Sequence, residues 1–348
     1  MILDGYANPS IAAAAQAIRS GTLVGLPTET VYGLGAAADN EAAIAKIFAA
    51  KGRPADHPLI VHVPDAASVS HFAADLPAFA ASLMQAFWPG PLTLILPRRK
   101  GVAAAAAGGQ NSIGLRCPSH PVAQALLHAC REPGDPAQQA QKMVWGLAAP
   151  SANQFGRVSP TTAQHVQTEF GADLLILDGG PCSVGIESTI IDCTRGVPVL
   201  LRPGAISREQ VQAACGLPVV SKDDLVTLDG PAPRASGTLE SHYAPHAKVR
   251  LMDAKALQTA LDLLGADADR ALTSPAPLIA TYSRVILKTR SSKVLRRRMP
   301  DDAPSVAQQL FAVLRDFDAQ GVKLIWIETP PDTPEWEGVR DRLQRASH

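Results

Sequence analysis

Positively charged residues and hydroxyl groups follow several apolar segments of the chain, and these residue types could hold a charged ligand. The cations Lys51, Arg53, Arg116 and Arg202 each lie at the end of a predicted helix or strand. In open α/β sheets, ligands bind where loops converge at strand ends. Guanidinium and hydroxyl groups with few carboxylates suit a polyanion such as a nucleotide, beside a second ligand that carries a carboxylate. The polar segments are PTETVYGLG (27–35), KGRPADHPL (51–59), SIGLR (112–116), APSAN (149–153), GRVSPT (156–161), ESTIID (187–192) and LRPG (201–204).

Each polar segment also has an ordinary structural explanation, which the sequence alone leaves open. Lys51 and Arg53 could complement the dipole at a helix C-terminus, and His62 could be a satisfied core histidine in the apolar strand LIVHV. Arg116 is harder to explain in this way, because a buried guanidinium needs a partner. Thr28 and Thr30 could be present only because threonine favours β-strands. Ser151 and Asn153 could be present only because they form turns.

Several common site signatures are missing. No G-x-x-x-x-G-K-[ST] segment occurs, so ATP use cannot rest on a P-loop. Gly33-Leu34-Gly35 does not continue as G-x-G-x-x-G. The sequence also has no H-E-x-x-H, no G-x-S-x-G and no Cys/His cluster with zinc spacing. A site on this chain must therefore be built from the dispersed polar segments.

Apolar segments with strand period alternate with segments of helical period, which predicts an α/β fold. Asp39 is expected to cap the second helix. Predicted helices are 8–19, 41–51, 76–87, 122–130, 161–170, 206–215, 254–264, 305–318 and 338–345. Predicted strands are 22–25, 59–63, 92–96, 112–116, 147–149, 174–178, 189–193, 199–202, 249–252, 278–282 and 323–328.

The chain divides into two predicted domains. Residues 217–247 contain four prolines and little periodicity, which is typical of a linker. The expected division is a catalytic domain over 1–216, a linker that serves as a lid over 217–247, and a smaller α/β domain over 248–348. The polar segment 131–142 is predicted to be a surface insertion.

Composition indicates a globular protein without a membrane span. Lys and Arg number 32 and so do Asp and Glu, so any RNA contact needs a local basic patch. The five cysteines form no C-x-x-C pair, which favours free thiols in a reducing compartment. The N-terminus resembles no signal peptide and the apolar runs are too short to span a bilayer, so a cytoplasmic location is expected.

The order PTETVYGLG, KGRP, PLIVHV, WPGPLTLIL, GLRCP, APSAN, SPT, ESTIID and LRPG resembles the YrdC-like threonylcarbamoyl-AMP synthases over about the first 210 residues. His242-Tyr243-Ala244-Pro245 resembles the linker of the long, two-domain form. The resemblance implies a twisted, open α/β domain with a deep cationic concavity, followed by a small Rossmann-like domain.

The resemblance further implies that L-threonine, bicarbonate and ATP give threonylcarbamoyl-adenylate and pyrophosphate. This nucleotidyltransferase reaction would be the first step of N6-threonylcarbamoyladenosine formation in ANN-decoding tRNA. The implied partners are a threonylcarbamoyl-transferase complex and tRNA, and Mg²⁺ is expected to arrive with ATP. Phosphoryl chemistry of this kind mainly needs positioning and charge neutralisation, which fits a site without a protein nucleophile.

Residue roles follow from the same resemblance. Lys51 and Arg53 are implied to be catalytic, facing the nucleotide phosphates, and Arg116 is implied to hold the threonine carboxylate. The implied ATP-binding residues are Arg53, His57, Ser112, Ser151, Asn153, Ser159, Arg202, His242 and Tyr243. The implied threonine-binding residues are Thr30, His62, Arg116, Ala149 and Ser188.

The sequence departs from the family pattern at three places. His57 stands where the family's K-G-R-P-x-x-N-P-L has Asn, which could make a phosphate contact pH-dependent. Residues 235–241 read ASGTLES instead of S-P-G-M with basic residues, so the lid is expected to be less cationic. The insertion at 131–142 precedes APSAN and could alter the rim of the pocket.

Three other functions stay open at this stage. The same concavity could bind double-stranded RNA without catalysis, as in a ribosome-assembly factor. The chain could instead be a carbamoyl-adenylate enzyme of hydrogenase maturation, although no acylphosphatase or zinc-finger region is visible. It could also be a regulatory or inactive paralogue.

Overall fold

The computed structural model describes residues 1–132, 143–221, 233–237, 242–264 and 279–348. They divide into two compact units. The first unit is Met1–Phe155 with Ser159–Thr238, and the second is Gly156–Val158 with Leu239–His348. The predicted bounds of a linker at 217–247 stay a prediction. The insertion predicted over 131–142 lies outside the described residues from 133 onward.

An eleven-stranded mixed sheet runs through the described part of the first unit, in the order β1-β8-β2-β3-β7-β4-β6-β5-β9-β10-β11. Its strands are β1 Ile2–Asp4, β2 Val24–Leu26, β3 Gly33–Ala37, β4 Ile60–His62, β5 Leu92–Pro97, β6 Ser112–Arg116, β7 Leu147–Ala148, β8 Leu175–Asp178, β9 Thr189–Asp192, β10 Val199–Arg202 and β11 Val220–Ser221. Its helices are α1 Asn8–Arg19, α2 Glu41–Lys51, α3 Val69–Phe72, α4 Ala78–Phe87, α5 Pro121–Arg131, α6 Ala163–Phe170 and α7 Arg208–Cys215, and Ala66–Ser68 is a 3₁₀ turn.

The central strands alternate strictly between an apolar and a partly polar face. In β5, Leu92, Leu94 and Leu96 enter the main core cluster, whereas Thr93 and Ile95 point to the other face. The same period of two continues in β6 and β4, because side chains alternate along a strand. One face of these strands therefore enters the main core, and the other carries polar side chains beside a smaller apolar cluster around Ile95.

Helix α2 begins at an asparagine cap and ends at a glycine. The Asn40 side chain accepts from the Ala43 amide at the N-cap, so the predicted cap at Asp39 is wrong. Asp39 instead bonds to His71 and to the amide of Ala103. Gly52 ends the helix with φ of 60°, a left-handed conformation that favours glycine. This end sets the direction of the chain from Lys51 into the following loop.

The second unit contains a four-stranded parallel sheet in the order β12-β15-β13-β14. The predicted α/β class is confirmed in both units, and a parallel sheet flanked by helices is typical of a Rossmann-like domain. Its strands are β12 Lys248–Met252, β13 Ile279–Ser283, β14 Val294–Arg298 and β15 Leu324–Glu328. Its helices are α8 Ala254–Leu264, α9 Ala303–Ala319 and α10 Glu337–Ala346, and Pro334–Trp336 is a 3₁₀ turn.

Four strands were not predicted: β1, β3, β11 and β14. Strand β3 reads GLGAA and β14 reads VLRRR, and neither sequence has the β-branched alternation of an ordinary strand.

Across the described residues, no helix is long and apolar enough to cross a membrane.

Candidate functional site

Polar side chains form a row across the partly polar face of the first unit's sheet. His62 on β4 is the register partner of Arg116 on β6, and Thr93 and Arg202 follow on β5 and β10. Neighbouring strands lie about 4.8 Å apart, so roughly 14 Å separates the backbones of Arg116 and Arg202. The row therefore places two buried guanidinium groups at opposite ends of one stretch of the sheet face.

Arg116 is held at its end of the row by a buried ion pair. Its guanidinium lies 2.7 Å from the Glu29 carboxylate, and both side chains are buried. Arg116 also donates to the Thr30 hydroxyl over 2.7 Å and to the Gly90 carbonyl over 3.3 Å. The bonds to Thr30 and Gly90 use two of the five N–H groups of the guanidinium, and the contact with Glu29 is an ion pair without a well-formed hydrogen bond, so a bound carboxylate could still be accommodated.

His62, beside Arg116, is buried without a well-formed hydrogen bond. Neither of its ring nitrogens has a hydrogen-bond partner of normal geometry among the described residues. Burial, followed by the charge of Arg116, holds the pKa of His62 well below its ordinary value, and the backbone of Leu147 only partly opposes this. A neutral imidazole with two unused nitrogens fits a place where a polar ligand supplies the missing bond.

Arg202 forms the other end of the row. Its Nε and one terminal nitrogen donate to the Ser188 carbonyl over 3.1 and 2.9 Å. The Ser188 hydroxyl lies 2.7 Å from the Thr93 hydroxyl and 3.2 Å from Arg202. Ser188 thus connects Thr93 to Arg202 through hydrogen bonds, although the apolar Ile190 is the residue of β9 that lies between them in register.

Arg53 and Arg202 meet at a single residue. Arg53 donates to the Ser236 hydroxyl over 3.3 Å and to the Pro58 carbonyl over 2.8 Å, and Arg202 donates to the Ser236 carbonyl over 2.8 Å. Both guanidinium groups are buried. Two like charges held this close favour an anion between them. A small cleft lies beside them, lined by Pro58, Leu59, Ile60, Thr93, Ile95, Gln110, Ser112, Gly114, Ile190, Arg234, Ala235 and Ser236.

His57 lies next to Arg53 through their shared neighbour Phe155. The rings of His57 and Phe155 meet edge to face with centroids 5.4 Å apart, and the Arg53 guanidinium lies 5.7 Å from the Phe155 centroid. Burial, followed by the charge of Arg53, lowers the pKa of His57. At neutral pH this side chain is therefore a neutral imidazole beside the cations.

Lys51 is buried and fixes the loop after β7. Its ammonium donates to the carbonyls of Ser151 and Asn153. Burial, followed by Arg53, lowers the pKa of Lys51 well below its usual value, and Glu169 opposes this. The contacts in the described residues are those of a loop anchor, so the predicted catalytic role of Lys51 stays a prediction.

The other predicted residues of the first unit lie around the same loops. The Ser159 hydroxyl bonds to the Glu187 carboxylate. The Ala149 amide donates to the Ile60 carbonyl over 3.0 Å, and Ser151 forms an isolated bridge to Gly33. Ser112 begins β6 at the cleft. Ser159 thus contacts the residue before Ser188, Ala149 contacts β4, and Ser112 lies at the end of β6 opposite Arg116.

His242 and Tyr243 belong to the second unit. Tyr243 is buried, with its ring 5.5 Å from that of Phe311 and 5.2 Å from the Arg342 guanidinium. His242 packs edge to face against Tyr243 with centroids 4.1 Å apart. Within the second unit the two rings pack against neighbouring side chains. That they lie over the nucleotide as a lid stays a prediction.

Sequence reasoning did not single out several residues that complete this surface. Glu29 pairs with Arg116, Thr93 with Ser188, and Ser236 with both Arg53 and Arg202. Glu29 could have been found, because it lies inside the PTET segment next to Thr30. Ser236 gives no such signal, because its role depends on a contact between residues that are far apart in sequence.

The chain matches known proteins over nearly its whole length. A family model described as telomere recombination matches residues 16–204, and one described as threonylcarbamoyl-AMP synthase, C-terminal domain, matches residues 206–348. The threonylcarbamoyl-AMP synthase of Bacillus subtilis is 36% identical over 345 residues, covering 98% of this chain and 93% of that protein. The enzyme of the same name from Pyrococcus abyssi is 36% identical and covers 96% and 93%. A solved structure of P. abyssi Sua5 complexed with L-threonine superposes with a TM-score of 0.81 at 34% identity, covering 97% and 94%.

Proposed function

The chain belongs to the threonylcarbamoyl-AMP synthase family, and from this premise we propose that it makes threonylcarbamoyl-AMP from L-threonine, bicarbonate and ATP. The reaction is of the transferase type. We assign it to the nucleotidyltransferases, because an adenylyl group moves from pyrophosphate to a carbamate oxygen. The product serves as the activated donor for threonylcarbamoyl transfer to tRNA.

The row His62–Arg116–Thr93–Arg202 on one sheet face is the observation that supports this proposal most. The amine of threonine adds to bicarbonate with loss of water to give a carbamate. A carbamate oxygen then attacks the α-phosphorus of ATP, the bond to the β-phosphate oxygen breaks, and pyrophosphate leaves. The two ends of the row supply charge for a carboxylate and for phosphates, which is what this reaction requires.

Each end of the row has a distinct proposed ligand. Arg116 would bind the threonine carboxylate, with Thr30 and His62 beside it and Ser188 farther along the row. Arg53 and Arg202 would face the ATP phosphates, and an arriving phosphate oxygen would replace the contacts that both make with Ser236. Charge-assisted bonds to phosphate are stronger than bonds to a neutral hydroxyl or carbonyl, so this exchange is favourable.

Mg²⁺ is proposed to accompany ATP. Among the described residues, no group of three or more His, Cys, Asp or Glu side chains could hold a metal ion. The nearby carboxylates Glu29 and Glu187 are engaged by Arg116 and Ser159. This donor set fits an ion held mainly by phosphate oxygens, with the protein orienting the phosphates.

The proposal also includes the partners that receive the product and the compartment in which the protein works. The carbamate–phosphate anhydride is reactive and needs an acceptor, so we propose delivery to a transferase complex that acts on tRNA, in the cytoplasm. The comparisons do not favour the alternative of a non-catalytic double-stranded RNA-binding module, because the curated relatives covering most of the chain are named as synthases.

A pyrophosphate-release assay tests the reaction and its amino acid together. The protein is incubated with ATP, Mg²⁺ and bicarbonate, and each amino acid is added in turn. Threonine-dependent release is expected, with serine weaker because it lacks one methyl group, a difference of about tenfold or more. Release that does not depend on any amino acid would contradict the proposal.

A further inference from the structure

The second unit carries a concentrated basic segment that the proposed reaction does not use. Residues 284–298 contain seven Lys and Arg and no Asp or Glu. The rest of the chain then has 25 Lys and Arg against 32 Asp and Glu, so these fifteen residues alone bring the net charge to zero. We call Lys288, Arg290, Lys293, Arg296, Arg297 and Arg298 the basic edge.

The basic edge lies on and before β14, which ends the order of the four-stranded sheet. Arg296, Arg297 and Arg298 are exposed, as are Lys288 and Arg290 in the preceding loop. On its outer side, β14 has no further strand partner among the described residues. Its backbone N–H groups on that side add donors to the cationic side chains.

Carboxylates neutralise only part of this surface. Arg297 pairs with Asp316 over 2.8 Å, and Arg298 approaches Asp301 at 3.4 Å. Arg296 donates to the Leu287 carbonyl over 2.9 Å. Within the described residues, Lys288, Arg290 and Arg296 have no ion pair, so their full charge is available to a partner.

Protection of an edge strand is the ordinary reason for charges at such a position, but it does not explain this number. One or two lysines are enough to discourage pairing with another strand. Successive arginines on one strand repel one another, and that repulsion is relieved when a polyanion binds. The fork-shaped guanidinium group is also well suited to phosphate oxygens.

We propose that the basic edge binds the phosphate backbone of RNA, so that the second unit contacts the RNA on which the product of the first unit is used. This inference rests on the proposed function only for the choice of RNA as the polyanion. Arginine and backbone N–H contacts to phosphates position a nucleic acid without reading its sequence. The site is separate from the polar row of the first unit, whose residues bind the small substrates.

The test compares two triple variants of the full chain. The first, Lys288→Gln/Arg290→Gln/Arg296→Gln, removes the three cations without ion pairs. The second, Lys248→Gln/Arg250→Gln/Lys323→Gln, removes three exposed cations on and beside β12, at the opposite edge of the same sheet. Binding of an unmodified tRNA transcript is measured by fluorescence anisotropy at several salt concentrations, without ATP or threonine.

The basic-edge variant is expected to bind the transcript at least about tenfold more weakly at low salt, with a salt slope lower by about two to three. The control variant should keep wild-type affinity and slope. Pyrophosphate release should be unchanged in both, which separates this inference from the proposed reaction. A failure of pyrophosphate release in the wild type would contradict the reaction and leave the RNA-binding result standing by itself.

Four results would overturn the inference. The two variants could lose affinity equally, which would indicate that RNA binding depends on the net charge of the protein and not on the basic edge. The basic-edge variant could bind as tightly as the wild type. The wild type could bind vesicles containing phosphatidylserine through the basic edge and leave the transcript free, since Ile286 beside it is also exposed. The Lys variant Arg290→Lys/Arg296→Lys should retain most of the RNA affinity, and its loss of binding with an unchanged fold would count against a phosphate contact.

Discussion

The Glu29 carboxylate lies 2.7 Å from the Arg116 guanidinium, and each of these side chains is buried. Glu29 also accepts the Ser119 amide over 3.1 Å, which fixes the carboxylate from its other side. The pair keeps a cation inside the protein without a net buried charge.

Replacing Arg116 with Lys should impair threonine binding specifically. Lysine keeps the charge beside Glu29 but loses the planar fork that can hold a carboxylate by two parallel bonds. We expect the threonine KM to rise about tenfold or more, with the ATP KM within about twofold of wild type. Steady-state pyrophosphate release measures both, and Arg99→Lys on the exposed surface serves as the control. An equal rise of both KM values would contradict the assigned role.

Removing one partner of the Arg116–Glu29 pair should destabilise the first unit. Arg116→Ala leaves a buried carboxylate unpaired, which typically costs about 3–5 kcal/mol. The double variant Arg116→Ala/Glu29→Gln should recover a large part of that loss, because no unpaired charge remains. Urea unfolding of the three proteins measures the difference. A double variant no more stable than Arg116→Ala would show that the ion pair is not the cause.

Neutralising Arg202 should weaken ATP binding and leave threonine binding nearly unchanged. Arg202→Gln removes a guanidinium that lies beside Arg53 through Ser236 and would face phosphate. Hydrogen bonds to charged groups contribute about 1.5–3 kcal/mol, so the ATP KM should rise by about tenfold to 100-fold. Ser236→Ala is the control, since it removes the hydroxyl that Arg53 contacts, keeps the backbone carbonyl that Arg202 contacts, and should change the ATP KM little. A selective rise in the threonine KM would indicate that Arg202 binds threonine instead of ATP, which would contradict the assigned role.

His62 should make the protein less stable in acid. Its folded-state pKa is lowered from the usual 6.5, chiefly by burial. Below about pH 6.5 the unfolded chain therefore binds a proton that the folded protein does not, and stability is lost as the pH falls from there toward the folded pKa. We expect a smaller drop in Tm between pH 7.5 and pH 5 in His62→Leu than in wild type or in the exposed control His246→Leu. Identical drops in all three proteins would exclude His62 as a cause.

The sequence predicted the α/β class and most helices because their apolar periods are regular. It also predicted the central strands over LTLIL and SIGLR, and the structure has both. It missed β3 and β14 because glycine, alanine and arginine carry no strand signal, and these strands depend on their neighbours in the sheet. The cap at Asp39 was wrong by one residue, since Asp39 and Asn40 are both good caps and only packing selects between them.

For the candidate site, the sequence indicated the cations but not their partners. Arg116 was expected to need a partner. Glu29 stands beside Thr30 in the PTET segment, yet it is 87 positions earlier and the sequence does not show that the two residues meet. Ser236 was treated as part of a neutral lid, whereas it bonds to Arg53 and Arg202. Such contacts are set by the order of strands in the sheet, which periodicity does not determine.

A crystal structure of the full chain with L-threonine and a non-hydrolysable ATP analogue would show whether one sheet face holds both substrates. We expect a threonine carboxylate oxygen within about 3 Å of the Arg116 guanidinium and phosphate oxygens within about 3 Å of Arg53 and Arg202, on the same sheet face. Both ligands bound elsewhere, or threonine bound without contact to Arg116, would contradict this expectation.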